Sequence, residues 1–167
     1  NTPTSWTNQN RTITTKCNDT LSGCVEGTTT KTYTSDKLND TFLVYDNAGN
    51  SGECNVTVKV DKTPPVVSLS PSYSESDGSI TITATAEDPL SGVVQHMFSE
   101  NANLTAFSSG WSTLSTAKDS VSYDKTITNL GTTTWYFYAK DSAGNVARSD
   151  ALTINLSASI PDAQTIH

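Results

Sequence analysis

The chain has 167 residues, a formal net charge of -7 and a sequence pI near 4.6, with only 16% charged residues and a preponderance of Ser and Thr. The acidity excludes the basic footprint with which nucleic-acid binders neutralise phosphates, and no apolar run approaches the roughly 18 to 20 residues that a helix needs to cross a bilayer. Threonine beside Val, Ile, Tyr and Phe, with no long stretch of apolar residues at helical spacing, predicts an all-β protein.

In chain order, strands are expected over Thr12 to Cys17, from Cys24 onward, over Thr41 to Tyr45 and over Cys54 to Val60. A β-patterned run then ends in Asp61-Lys62-Thr63-Pro64-Pro65, where the prolines stiffen the connection and stop the first sheet from continuing. Beyond it, Ser79 to Ala86 alternates with Ile80, Ile82, Ala84 and Ala86 on one face. Val93 to Phe98 follows a Ser-Gly turn, Trp135 to Lys140 alternates with Trp135, Phe137 and Ala139 inward, and Val146 to Leu156 closes the series.

The two halves align in four segments of the same order. Asn1-Thr2-Pro3 matches Lys62-Thr63-Pro64, and Thr12-Ile13-Thr14 matches Thr81-Ile82-Thr83. Asp19-Thr20-Leu21-Ser22-Gly23 matches Asp88-Pro89-Leu90-Ser91-Gly92, and Asp46-Asn47-Ala48-Gly49-Asn50 matches Asp141-Ser142-Ala143-Gly144-Asn145. A fixed-order repeat of this size marks an array. It implies a Cys-containing module over residues 1–61, a linker over 62–65, a second module over 66–157 with an insert at 99–123, and a tail over 158–167 that begins a further linker.

The succession Asp88 to Gly92, Asp46 to Asn50 and Val58-Lys59-Val60-Asp61-Lys62-Thr63-Pro64-Pro65 resembles bacterial immunoglobulin-like (Big-type) tandem repeats of large surface proteins and adhesins. The resemblance spans nearly the whole chain. It implies two tandem immunoglobulin-like antiparallel β-sandwich modules joined by a short Pro-containing linker, extracellular at a cell surface or secreted, with neighbouring modules of the parent chain as partners. No signal-peptide pattern is legible at Asn1, so the expectation is a piece of a longer protein.

Asp46 to Asn50 and Asp141 to Asn145 read first as hairpin turns, where glycine supplies a positive φ and the Asp and Asn side chains bond backbone amides. The alternative is a metal. In the strand order of the resembled fold, Asp88 and Asp141 lie at the end of the second module that faces the first, beside Asp61 from the linker. Three carboxylates there would suit Ca²⁺, a hard cation taking 6 to 8 oxygens, and some repeats of the resembled family rigidify their junctions in this way. Asp19 and Asp46 face the opposite, outer end, where an equivalent site is incomplete.

All three cysteines fall in the first half. A small module gains from a staple; Cys17 to Cys24 is the first pairing, with Cys54 to Cys17 across the sandwich as the alternative, since Cys54 shares the inward parity of Val56 and Val58. A structural zinc lacks its usual four ligands, because His96 and His167 lie in the other half. Trp111, within 99–123, is a packing residue or a platform for a sugar. Asn10, Asn18, Asn39, Asn55, Asn103 and Asn155 begin Asn-x-Ser/Thr segments, of interest only in a glycosylating host.

Nothing arranges a His-centred nucleophile, a carboxylate pair in a cleft or a phosphate loop. The function expected is therefore non-catalytic: a stalk, spacer or adhesin repeat. A module binding a glycan or host protein, an accessory domain of a secreted enzyme, and a Lys-to-Asn isopeptide bond of the kind known in related surface sandwiches are the alternatives.

Overall fold

The computed structural model describes residues 3–74 and 78–158, and within them the chain is all-β with antiparallel sheets. Asn1, Thr2 and the tail from 159, with Pro161 and His167, lie outside the described residues.

In the first half β1 (Arg11–Lys16) pairs with β2 (Thr28–Tyr33), and β3 (Lys37–Tyr45) pairs with β4 (Ser51–Val60). Alternation sets the faces: Ile13 and Thr15 of β1 are buried, while Thr12 and Thr14 point outward and their hydroxyls meet those of Thr32 and Thr30 at 2.9 and 3.0 Å. Threonine serves both needs, since its branched Cβ favours the pleat and its hydroxyl pairs across strands. The buried apolar residues of this half are Ile13, Phe42, Val58 and Val60. The strand expected from Cys24 shrinks to one antiparallel bridge between Cys24 and Asp46, after which the chain crosses to pair with β1 at Thr28.

Near its end β4 carries an extra residue, because Lys37 faces Val60 while Asn39 faces Thr57. Lys59 sits in this bulge at a φ of 52°, the only positive φ outside glycine among the described residues. The carbonyl of Lys59 accepts from Thr7 N, and Asp61 N donates back to Thr7 O at 3.0 Å. The strained turn thus directs the chain toward Asp61.

The second half is a sandwich. One sheet is β5 (Val66–Ser74), β6 (Ser79–Glu87) and β9 (Ser120–Ile127); the other is β8 (Ser112–Lys118), β7 (Val93–Ser99) and β10 (Gly131–Asp141), whose far edge is shared by β11 (Val146–Arg148) and β12 (Leu152–Leu156). Ala84 and Ala86 of the first sheet meet Val93, Phe137 and Ala139 of the second, and Ile80, Ile82 and Ile127 meet Ile154 and Leu156. Small residues opposite Phe137 leave room for its ring at interior packing density.

The strand expected over Val146 to Leu156 is broken in two. At the break buried Ser149 donates its amide to Phe137 O at 2.8 Å and accepts Phe137 N on its hydroxyl at 2.9 Å, so a side chain replaces one rung of the ladder. The stretch 99–123, expected as an insert, holds β8 and the first residues of β9, which complete the two sheets. Among the described residues no strand of β1 to β4 pairs with one of β5 to β12.

Candidate metal centre

Three short segments converge. In Asp88 to Gly92, the Asp88 carboxylate caps the turn: Oδ1 accepts Leu90 N at 2.9 Å and Ser91 N at 3.1 Å, and Oδ2 accepts the Ser91 hydroxyl at 3.2 Å. Gly92, at φ 81°, is required twice over, because a Cβ there would stand 2.9 Å from Ala117 Cβ. In Asp141 to Asn145, Asp141 Oδ1 accepts Gly144 N at 2.7 Å and Asn145 N at 2.8 Å, and Oδ2 accepts Asn145 Nδ2 at 2.7 Å. Ser142 N donates to Gly92 O at 3.0 Å and locks the two turns together.

The third segment is the linker. Asn145 Nδ2 also reaches Asp61 O at 3.0 Å, while Asp61 Oδ1 accepts Thr63 N at 3.0 Å. Asp36, in the turn between β2 and β3, holds the same stretch through Lys62 N at 2.6 Å and the Thr63 hydroxyl.

The result is a set of three carboxylates, Asp61, Asp88 and Asp141, exposed by only 1%, 5% and 1%. One oxygen from each lies within 4.8 Å of the others. Asp61 Oδ2 is buried and has no hydrogen-bond partner. The ion pairs among the described residues join Lys31 and Lys37 to Asp40, and none involves the three.

Burial without a counter-charge disfavours the ionised form. Burial first, and then the charges of Asp61 and Asp88, push the Asp141 carboxyl up to about 6 against the bonds from Asn145. Burial likewise raises Asp61, with the charges of Asp88 and Asp36 adding to it against the bond from Thr63. Oxygens bound to one Ca²⁺ at about 2.4 Å can be at most about 4.8 Å apart, so the cluster matches the span of such an ion. The residues present therefore fit a hard divalent cation, with Asp61 Oδ2 the oxygen that has no other partner.

Asp19 and Asp46 repeat the turn chemistry without the third acid. Asp19 Oδ1 accepts Leu21 N at 2.9 Å and Oδ2 the Ser22 hydroxyl at 2.6 Å; Asp46 accepts Asn50 N and Asn50 Nδ2, each at 2.7 Å. Asn47 N donates to Gly23 O at 2.9 Å, as Ser142 N does to Gly92 O. Both carboxyls are half-exposed, and their bonds, chiefly from Ser22 to Asp19 and from Asn50 to Asp46, hold them below the usual range.

Of the other predicted residues, Cys17 and Cys24 form a disulfide with their Cα atoms 6.1 Å apart, and Cys54 is free and exposed. Trp111 is half-buried, edge-on to Tyr138 with centroids 6.4 Å apart, and Lys140 Nζ stands 5.6 Å from its ring. The asparagines of the six Asn-x-Ser/Thr segments are all exposed. His96 stacks on Tyr123 at 3.6 Å inside the sandwich, with Nδ1 buried and without a partner.

Sequence reasoning missed Asp36, Ser91 and the second bond of Asn145 to Asp61 O. It also missed a network in the first half, where Lys31 Nζ bonds Asp40 Oδ2 and Thr41 O, and the Tyr33 hydroxyl donates to Asp40 Oδ2 at 2.8 Å. The signal was present: Lys31 and Tyr33 alternate inward in a strand otherwise of threonine. No protein-family model matches the chain, and no curated protein matches it in sequence.

Proposed function

We propose that the chain is a non-catalytic extracellular segment of a larger surface or secreted protein, a stalk or spacer. In this reading it is built as two tandem immunoglobulin-like modules, over 1–61 and 66–157, whose junction is stiffened by a divalent cation, Ca²⁺, between Asp61, Asp88 and Asp141. The observation that carries the reading is the buried, uncompensated carboxylate cluster with the unpartnered Asp61 Oδ2. Its members come from both sides of Pro64-Pro65, so an ion there would join what the linker separates.

Three further observations support it. The two halves make the same turn bonds at Asp19/Asp46 and at Asp88/Asp141. Strand pairing stays within each half. The Cys17–Cys24 disulfide suits an oxidising compartment. Calcium titration followed by melting and by small-angle scattering tests the reading. A rise in melting temperature together with a narrowed distribution of overall lengths is expected; unchanged melting and scattering at millimolar calcium overturns it.

A further inference from the structure

Cys54 is unpaired, yet it does not stand apart from the disulfide. On β1 the inward positions are Ile13 and Thr15, and Cys17 continues that alternation one residue past the strand. On β4, Cys54 faces Phe42 of β3, which is fully buried, and shares the parity of Val56 and Val58. The two cysteines therefore lie on the inner faces of opposed sheets. A cavity of about 360 Å³ at this end of the half is lined by both Cys17 and Cys54, together with Lys16, Asp19, Tyr45 and Asp46. Cys54 is exposed, and it borders the same cavity as Cys17.

We propose that Cys54 is an exchange partner for the disulfide, so that the first half interconverts between two pairings, Cys17–Cys24 and Cys17–Cys54. The Cys54 thiol loses its proton and the thiolate attacks Cys17 Sγ through the cavity. A Cys17–Cys54 bond forms as the Cys17–Cys24 bond breaks, and the electron pair leaves on Cys24 Sγ, which takes up a proton. Nothing is oxidised or reduced overall, and no co-reactant is required.

The two pairings do different mechanical work. Cys17–Cys24 closes a short loop of separation 7 over the Asp19 to Gly23 turn. Cys17–Cys54 would tie the sheet of β1 and β2 to the sheet of β3 and β4, and would release Cys24, whose bridge to Asp46 holds the outer turns together. Exchange would thus trade a fixed end for a stapled sandwich, and the longer loop constrains the unfolded chain more.

The test is peptide mapping without reduction after incubation of the full chain at pH 8.5, quenched by alkylation. Both pairings are expected in the parent, and only Cys17–Cys24 in Cys54→Ser. In a glutathione redox buffer, Cys24→Ser should form Cys17–Cys54, leave no free thiol and melt several degrees above Cys54→Ser. Folded Cys24→Ser that keeps two thiols, a parent that maps only to Cys17–Cys24, or Cys54 captured only in disulfide-linked dimers each overturns the proposal. If Cys24→Ser does not fold, the parent map alone decides.

Discussion

Asp19 and Asp46 at one end of the first half, and Asp88 and Asp141 in the second, are the same pair of turns in two environments. Each carboxylate caps a turn through the same backbone amides. Half-exposed, the first pair is held below the ordinary carboxylate range by those bonds; buried, Asp141 is pushed up to about 6 despite its own. Hydrogen bonding to a carboxylate is thus outweighed once solvent is removed and like charges approach, here Asp61 and its neighbours. The first pair is a finished structural turn, and the second is a turn under electrostatic load.

The largest effect that follows concerns Asp61→Asn. Asn keeps the oxygen that accepts Thr63 N and places an amide where the unpartnered Oδ2 stood. Without cation it should melt higher than the parent, by several degrees. Calcium at about 100 times its dissociation constant should raise the parent by about 2.7 kcal/mol, on the order of 10 °C, and leave Asp61→Asn nearly unmoved. Scanning calorimetry with and without chelator checks both. A variant that melts lower in chelator would show that the third charge is not a load.

Acid should discriminate the two regions next. The folded-state Asp141 carboxyl lies near 6 against an ordinary 3.8. A raised acid contributes stability that is complete below its unfolded value and lost as pH rises through its folded one. Cation-free stability should therefore fall from about pH 4 to 6.5, with a slope up to about 1.4 kcal/mol per pH unit from this group. Saturating calcium should suppress that slope. His96 acts in the opposite sense, since burial lowers its value: its contribution is complete above about 6.5 and is lost as pH falls below it. His96→Phe, which keeps the stack on Tyr123, should lessen acid destabilisation measured in calcium.

Smaller differences sharpen the same contrast. Asn145→Ala removes bonds to buried Asp141 and to Asp61 O, and should cost about 2–3 kcal/mol, while Asn50→Ala removes exposed bonds to Asp46 and should cost about 1 kcal/mol or less. Denaturant unfolding of the two variants measures the gap, and equal losses would mean that burial adds nothing at Asn145. Gly92→Ala meets Ala117 Cβ as well as an unfavourable φ, whereas Gly49→Ala meets only the φ of 90°. The former should exceed the latter by about 1 kcal/mol, because overpacking adds to backbone strain.

Much of this was legible in the residues. The sequence pattern placed β1, β6 and β7 almost to their ends and the second half of β10, and the matched Asp-x-x-Ser-Gly and Asp-x-Ala-Gly-Asn segments located the turns that meet at the cluster. Strands β8 and β9 were not recognised: β8 offers only Leu114 as an inward apolar residue, and the alternation of β9, with Val121, Tyr123 and Ile127 inward, is interrupted by Lys125. The missing strand after Cys24 was overread for a related reason. Nothing local in Val25-Glu26-Gly27 states which sheet the chain will join, and Lys31 and Tyr33 are read as inward only once their bonds to Asp40 and Thr41 O are seen.

What the sequence by itself determined is local: an acidic all-β chain and its repeated turns, the nearness of the three acids having been expected only from the strand order of the resembled fold. Turn chemistry depends on neighbours within five residues, so it survives without knowledge of the fold. Only the tertiary structure decided that Asp61, Asp88 and Asp141 are buried while Asp19 and Asp46 are not, and that Cys54 opens on the same cavity as Cys17. Burial, orphaned oxygens and the sign of a carboxyl's shift are set by what arrives from far along the chain, here a bulge at Lys59 and the anchor at Asp36 that bring the linker onto two turns.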